Sequence, residues 1–334
     1  MAGTMAKLAS ALVTLVGPTT SHASIHCVAT VGTLVNALAV AEENGEADEI
    51  RIVGGSYALS ASLVYSSHEA FGAILSGRWN AACTNQDGAP SMLDGQNLTR
   101  ILQVNVDVDA ALAITDLQFT RGADRALLVE TAGRDVLIER NVFVGNRSAA
   151  EGAGARIAVS TSGSLVVVRN NIVFGNTAPE GAGLVVNAGI GEAYINGNTV
   201  VANTATIAGA LCGGLCIAGG SDFSLSNNIL WNNGGADLYN ASTASTLLFC
   251  NDVGTFAGTP PGASGSANFS IPPGFAAGLL NLQLDPRSPL VNRGCFAFGG
   301  SGDLDVARAM RRQGRAIDIG AHETDVLFRG PFDP

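Results

Sequence analysis

The chain has 334 residues, a net charge of −10, only 14% charged residues, 6% aromatics and 42 glycines. That acidic balance excludes a surface built to follow phosphates, so no nucleic-acid partner is expected. Abundant Val, Ile, Asn, Thr and Gly suit short strands joined by tight turns.

Residues 1–23 read as a secretory signal peptide. Lys7, the only lysine, gives a basic start. Leu8 to Val16 is apolar, Pro18 breaks it, and Ser21-His22-Ala23 is a small-residue cleavage site. The apolar run is too short to cross a bilayer, which takes roughly 20 residues, and no later run is longer. The expected mature chain is exported, begins at Ser24, and has no transmembrane segment, no lysine and one more net negative charge. It ends at Pro334 with no predicted sorting signal or barrel. All six cysteines follow the leader, and an even count in an exported chain points to disulfides. Many pairings are open. Position along the chain favours Cys27 with Cys83, Cys250 with Cys295, and a local Cys212–Cys216. The C-x₃-C spacing of that last pair, with no neighbouring His, argues against zinc.

In chain order, residues 33–44 have helical spacing. Leu34, Leu38 and Ala41 share a face, Thr33 is placed to cap the start, and Asn44-Gly45 to stop it. Such a helix would plug the open end of a stack of strands. Strand-like segments follow at Glu49–Val53, Ala73–Leu75 and Ile101–Val106, separated by glycine turns.

A hexapeptide then recurs: Asn141–Asn146, Asn171–Asn176, Asn198–Asn203 and Asn228–Asn233, spaced 30, 27 and 30 residues apart. A unit this small cannot bury its own apolar face and must stack on its neighbours. Aligned on the closing Asn, three columns appear. They are Val136, Val166, Ala193, Phe223; then Ile138, Val168, Ile195, Leu225; then Phe143, Val173, Val200, Leu230. Leu112, Ile114 and Phe119, with Gly122 closing, form an earlier partial copy. The first two columns are two residues apart, as same-face strand residues must be. The second and third are five apart, which breaks strand parity and demands a bend. Asp116, Arg140, Asn170, Gly197 and Asn227 sit at that break, and Asp, Asn and Gly tolerate left-handed backbone best. A glycine-rich step then leads to a third strand at Ala155 and Ile157, Leu184 and Val186, and Leu215 and Ile217. Three short strands per coil, without a crossover helix, describe a right-handed parallel β-helix over residues 24–253. The Asn columns read as structural amide ladders. Residues 254–334 read as a loop-rich segment packing on the end of the helix, with a last strand at Leu280–Leu284.

Candidate chemistry is sparse. Asp107, Asp109 and Asp116 are the best acidic cluster, with oxygen ligands of the kind that hold Ca²⁺; no cofactor is otherwise required. Asp135 with Glu139, or Glu151 with Glu180 on successive loops, are carboxylate pairs of the sort glycoside hydrolysis uses. A uronate lyase would need an Arg base, because no lysine remains. Val144, Phe174, Val201 and Trp231 follow the third inward column by one residue. They form an apolar strip suited to a polysaccharide or a surface protein, or to cover by loops. Val142, Ile172, Thr199 and Ile229 flank it.

Three local features resemble a known group. These are the repeated N-x-[IV]-x-x-N with its glycine step, the Gly77-Arg78-Trp79-Asn80 stretch through Cys83 to Leu93-Asp94-Gly95, and the tail. In the tail, Ser288–Gly294 is followed by Arg315-Ala-Ile-Asp318-Ile319-Gly320-Ala321-His322-Glu323. Together they resemble the parallel β-helix proteins similar to polymorphic outer-membrane proteins, in particular those ending in a choice-of-anchor Q domain. Asn292 stands where that group usually has Asp. The resemblance implies export and a pectin-lyase-like β-helix but no particular reaction. The expectation is a secreted or cell-surface protein of binding or adhesion type, with a polysaccharide lyase or glycoside hydrolase as the alternative.

Overall fold

The structure, a computed structural model, describes residues 23–324 apart from 263–264, 277–281 and 298. The signal peptide expected at residues 1–23 therefore lies outside the described residues, but for Ala23. The first two residues of the strand expected at Leu280–Leu284 also lie outside them; of the other three, Leu284 makes a single antiparallel bridge to Phe275.

The chain winds into a parallel β-solenoid of about nine turns. Each turn has three faces. In one coil, Asp135–Glu139 lies on face I and Val142–Val144 on face II. The long strand Ala155–Arg169 then supplies face III and rounds the corner into face I of the next coil. Because such strands join faces I and III, those two faces form one 15-stranded sheet, and face II is a separate 8-stranded sheet.

The columns legible in the sequence are the register of these sheets. Leu112, Val136, Val166, Ala193 and Phe223 pair in succession, as do Ile114, Ile138, Val168, Ile195 and Leu225. On face II, Phe119, Phe143, Val173, Val200 and Leu230 stack. All of them are buried in one continuous core, with layers about 4.8 Å apart. The Phe119 and Phe143 rings stack at 4.9 Å. The five bend residues all have left-handed backbone, with φ between 53° at Arg140 and 61° at Gly197. Arg140 adopts this costlier conformation because buried ion pairs hold it there.

Two asparagine ladders line the corners. Asn141, Asn171, Asn198, Asn228 and Asn251 each donate Nδ2 to the Oδ1 of the next, ending on Asn268. Asn146, Asn176, Asn203 and Asn233 do the same, and the Asp237 carboxylate accepts the last Nδ2 at 2.7 Å. Each Oδ1 also takes a backbone N–H from the coil before it. A bend would otherwise bury those groups unpaired.

A helix, α1 (Val31–Ala41), closes the N-terminal end and buries Leu34, Ala37, Leu38 and Ala41. Thr30, not Thr33, is its cap. Thr30 has extended backbone and accepts from Thr33 N–H, while Thr33 Oγ1 accepts from Thr30 N–H. Thr33 is thus the reciprocal half of a capping box.

Three disulfides form: Cys27–Cys83, Cys212–Cys216 and Cys250–Cys295. Cys212–Cys216 spans only four residues, so it restrains the unfolded chain least. Replacing both cysteines by serine is expected to cost about 2 kcal/mol, less than removing either longer loop. Urea denaturation of the variants checks this order.

The C-terminal part departs from expectation. The solenoid continues past residue 253 with strand Phe256–Gly258 and bridges at Ser266 and Phe269. The remaining segment lies along the flank of face II rather than only at the helix end. Leu282, Val306 and Ala321 pack on Ile172 and Val201, and Leu284, Leu290, Val291 and Ile319 pack on Ile229. The physical cause is the apolar outer strip, which water would otherwise meet.

Candidate functional site

Two hollows lie near the corner between faces III and I. There the face III strands Leu63–Ser67, Leu102–Val106 and Leu127–Thr131 stack in register. Ser66, Asn105 and Glu130 pair in succession and sit on the outer side of this corner. A hollow of about 300 Å³ opens there, lined by Ser66, His68, Asn105, Asp107, Glu130 and Ser160. A second of about 290 Å³ is lined by Gly72, Asp109, Ala111, Arg134 and Asp135.

Charged groups here come in pairs. His68 Nδ1 lies 2.7 Å from Asp107 Oδ2, with both side chains largely exposed. Asp109 meets Arg134 at 2.7 Å. Arg156 bridges Glu130 at 3.3 Å and Glu151 at 2.9 Å. Asp135 differs: partial burial of its carboxyl and the neighbouring Asp109 push its pKa up, against the pull of Arg134. The site offers a hydroxyl, an amide and a carboxylate on three successive coils, with ion pairs that hold most of the carboxylates in place.

Asp107 and Asp109 thus line adjoining hollows, but Asp116 does not join them. It lies at the bend between faces I and II with no exposed side-chain surface. It receives Arg140 Nε at 3.0 Å and Nη2 at 2.8 Å, and Arg308 Nη1 at 2.9 Å. Left-handed backbone turns its carboxylate toward those guanidinium groups, so the three-Asp calcium cluster expected from sequence is not assembled. Among the described residues no group of three or more His, Cys, Asp or Glu is placed to hold a metal ion. Glu139 is likewise committed to the same network, to Arg140 and to Arg169, each at 2.7 Å. Glu180 accepts from Leu211 N–H at 2.9 Å.

The apolar strip is also not the open surface that the binding expectation required. Val201 is buried, and Phe174 and Trp231 pack against Leu282, Val306 and Phe275; only Val144, partly exposed, lies outside that cluster. The sequence reading allowed cover by the loops between coils; the cover in the fold is instead the C-terminal segment, through Leu282, Val306 and Ala321.

His68, Glu130, Ser160 and Arg134 were missed from sequence. A signal existed for His68: it follows Leu63–Ser67 as Asp107 follows Leu102–Val106. The two strands pair residue for residue, so His68 and Asp107 occupy equivalent steps of adjoining coils. The spacing between these early coils is irregular, which hid the alignment.

No family model, no curated protein and no solved structure matches this chain.

Proposed function

We propose that the protein is exported by its signal peptide and works outside the cell or on its surface as a non-catalytic binding protein. Its ligand is a polysaccharide lying along the III–I corner. The proposal places the chain with the β-helix proteins similar to polymorphic outer-membrane proteins and the choice-of-anchor Q group. Three disulfides support an oxidising destination. The observation that carries the binding reading is the pair of adjoining hollows, the first of which stacks Ser66, Asn105 and Glu130 in register on three successive coils. Sugars are recognised by such arrays of hydroxyl, amide and carboxylate partners. Asp107, Asp109 and Glu130 are each held by a neighbouring His68, Arg134 or Arg156, which fixes their oxygens where sugar hydroxyls could meet them.

One observation favours the alternative, a glycoside hydrolase. Burial and the neighbouring Asp109 raise the pKa of Asp135, and two neighbouring carboxyl groups, one of them with a raised pKa, are what that reaction uses.

The test is a screen of the mature chain from residue 24 against neutral and acidic polysaccharides, with and without Ca²⁺, reading both binding and product. Saturable binding that weakens about tenfold in His68→Ala combined with Asn105→Ala, with the polymer intact, is the expected result. New reducing ends or unsaturated product would replace the binding reading by an enzymatic one. No binding to any polymer would remove the polysaccharide.

A further inference from the structure

The second hollow is a gap in a column of side chains. Ala73, Leu112 and Val136 pair in succession on face I. The residues one step before them, Gly72, Ala111 and Asp135, therefore stack on the outer side of the III–I corner. Two of the three carry no side chain beyond a methyl group, and the third is a carboxylate. The hollow of about 290 Å³ is the space those small residues leave, lined also by Asp109 and Arg134, with Asp135 closing one end. At about 4.8 Å per coil the gap runs on the order of 10 Å along the axis, the scale of a single sugar ring.

Charge at this corner is one-sided. Four carboxylates, Asp107, Asp109, Glu130 and Asp135, line the two hollows, against one arginine, Arg134, and His68. Arg134 binds Asp109 at 2.7 Å and His68 binds Asp107. Arg156, which reaches Glu130 from outside the hollow, is shared with Glu151. Asp135 has, among the described residues, no ion pair or hydrogen bond of its own. Arg134 lies close enough to attract it but makes its salt bridge with Asp109.

Ligand groups separate on these terms. A uronate or a sulfate ester would bring further negative charge into a corner that already has an excess. A divalent cation needs several oxygen ligands at once, and among the described residues no three acidic groups converge. A hydroxyl can hydrogen-bond to Asp135 but leaves its charge uncompensated. An ammonium group does both through a single carboxylate, and charge-assisted hydrogen bonds are the stronger ones.

We propose that this gap takes one sugar unit bearing a free amino group, held by Asp135, so that the polymer at the III–I corner is an amino-sugar polysaccharide. The inference rests on the polysaccharide reading and adds to it the class of polymer. Gly72 and Ala111 set the shape of the gap, and Asp135 supplies the charge. Arg134 holds Asp109 to one side and leaves Asp135 free for the ammonium.

The test titrates the mature chain from residue 24 with hexamers of glucosamine, N-acetylglucosamine and galacturonic acid, in buffer of about pH 6, where amines are charged. The glucosamine hexamer is expected to bind about tenfold more tightly than the N-acetylated one, as one charge-assisted hydrogen bond gives, and the galacturonate hexamer most weakly. Asp135→Asn is expected to remove the preference for glucosamine by removing the charge, and Ala111→Leu to remove it by filling the gap. An N-acetylglucosamine or galacturonate hexamer that binds as tightly as glucosamine would overturn the amino-sugar inference and leave the polysaccharide reading standing. A glucosamine preference that survives in both variants is general attraction to an acidic chain and overturns it too. Binding to none of the three also overturns it, and the wider polymer screen then judges the polysaccharide reading separately. Hydrogen exchange of the unaltered chain covers the case where the variants do not fold. Protection by the glucosamine hexamer at 70–72, 109–111 and 134–135 supports the inference, and protection elsewhere or none overturns it.

Discussion

Asn171→Leu is expected to cost about 2–5 kcal/mol of stability. The side chains are close in volume, so the loss measures hydrogen bonding rather than packing. Asn171 is fully buried and works in both directions along its ladder. Its Oδ1 accepts Asn141 N–H at 2.9 Å, and its Nδ2 donates to Ile138 O and Asn198 Oδ1, each at 2.9 Å. Leucine leaves the Asn141 amide and the Ile138 carbonyl buried and unpaired. Asn198 Oδ1 still accepts the backbone of residue 171, and Asn141 Nδ2, which loses Asn171 Oδ1, keeps Ile114 O, so neither of these is left wholly without a partner. Urea denaturation checks the loss. Because each coil contacts only its neighbours, hydrogen exchange should show the loss concentrated between about residues 135 and 203.

Asp116→Ala is expected to cost about 3–5 kcal/mol, as removal of one partner from a buried ion pair does. Asp116 serves two arginines from opposite parts of the chain. Arg140 retains Glu139 at 2.7 Å. Arg308 loses the carboxylate that anchors it to the solenoid, so the far end of the C-terminal segment loses its ion pair. Asp116 also has φ of 59°, where alanine is less tolerant. Asp116→Asn separates the two effects by keeping the backbone preference and removing only the charge. Denaturation should place Asn between wild type and Ala, and exchange should rise at 301–311 in both.

The regular coils were legible because their chemistry repeats. Parity forced a bend between Ile138 and Phe143, residue type located it at Arg140 and its equivalents, and the left-handed angles lie there. The Asn ladders and the three inward columns follow from the same stacking, whereas the three disulfides join the cysteines that position along the chain favoured. The early coils were less legible. Between Trp79 and Ser91 the chain makes a disulfide-tied excursion through Cys83, so the period slips and His68 could not be aligned with Asp107. The acidic cluster failed for a different reason. Asp107, Asp109 and Asp116 are close in sequence, but a corner lies between them, and Asp116 faces arginines that arrive from residues 140 and 308. The outer strip was found by parity, yet its fate depended on a segment with no period of its own. Nothing repeating in residues 282–321 announces that Val306 and Ala321 will lie on Ile172 and Val201.

The central claim is that equivalent side chains of successive coils lie over one another in one interior row. A crystal structure of the mature chain tests it most directly. The account predicts Phe143, Val173, Val200 and Leu230 in adjoining layers, each about 4.8 Å from the next, with Asn141, Asn171, Asn198 and Asn228 joined amide to amide beside them. Finding any of the four apolar residues outside that row, or the amides unpaired, would contradict it.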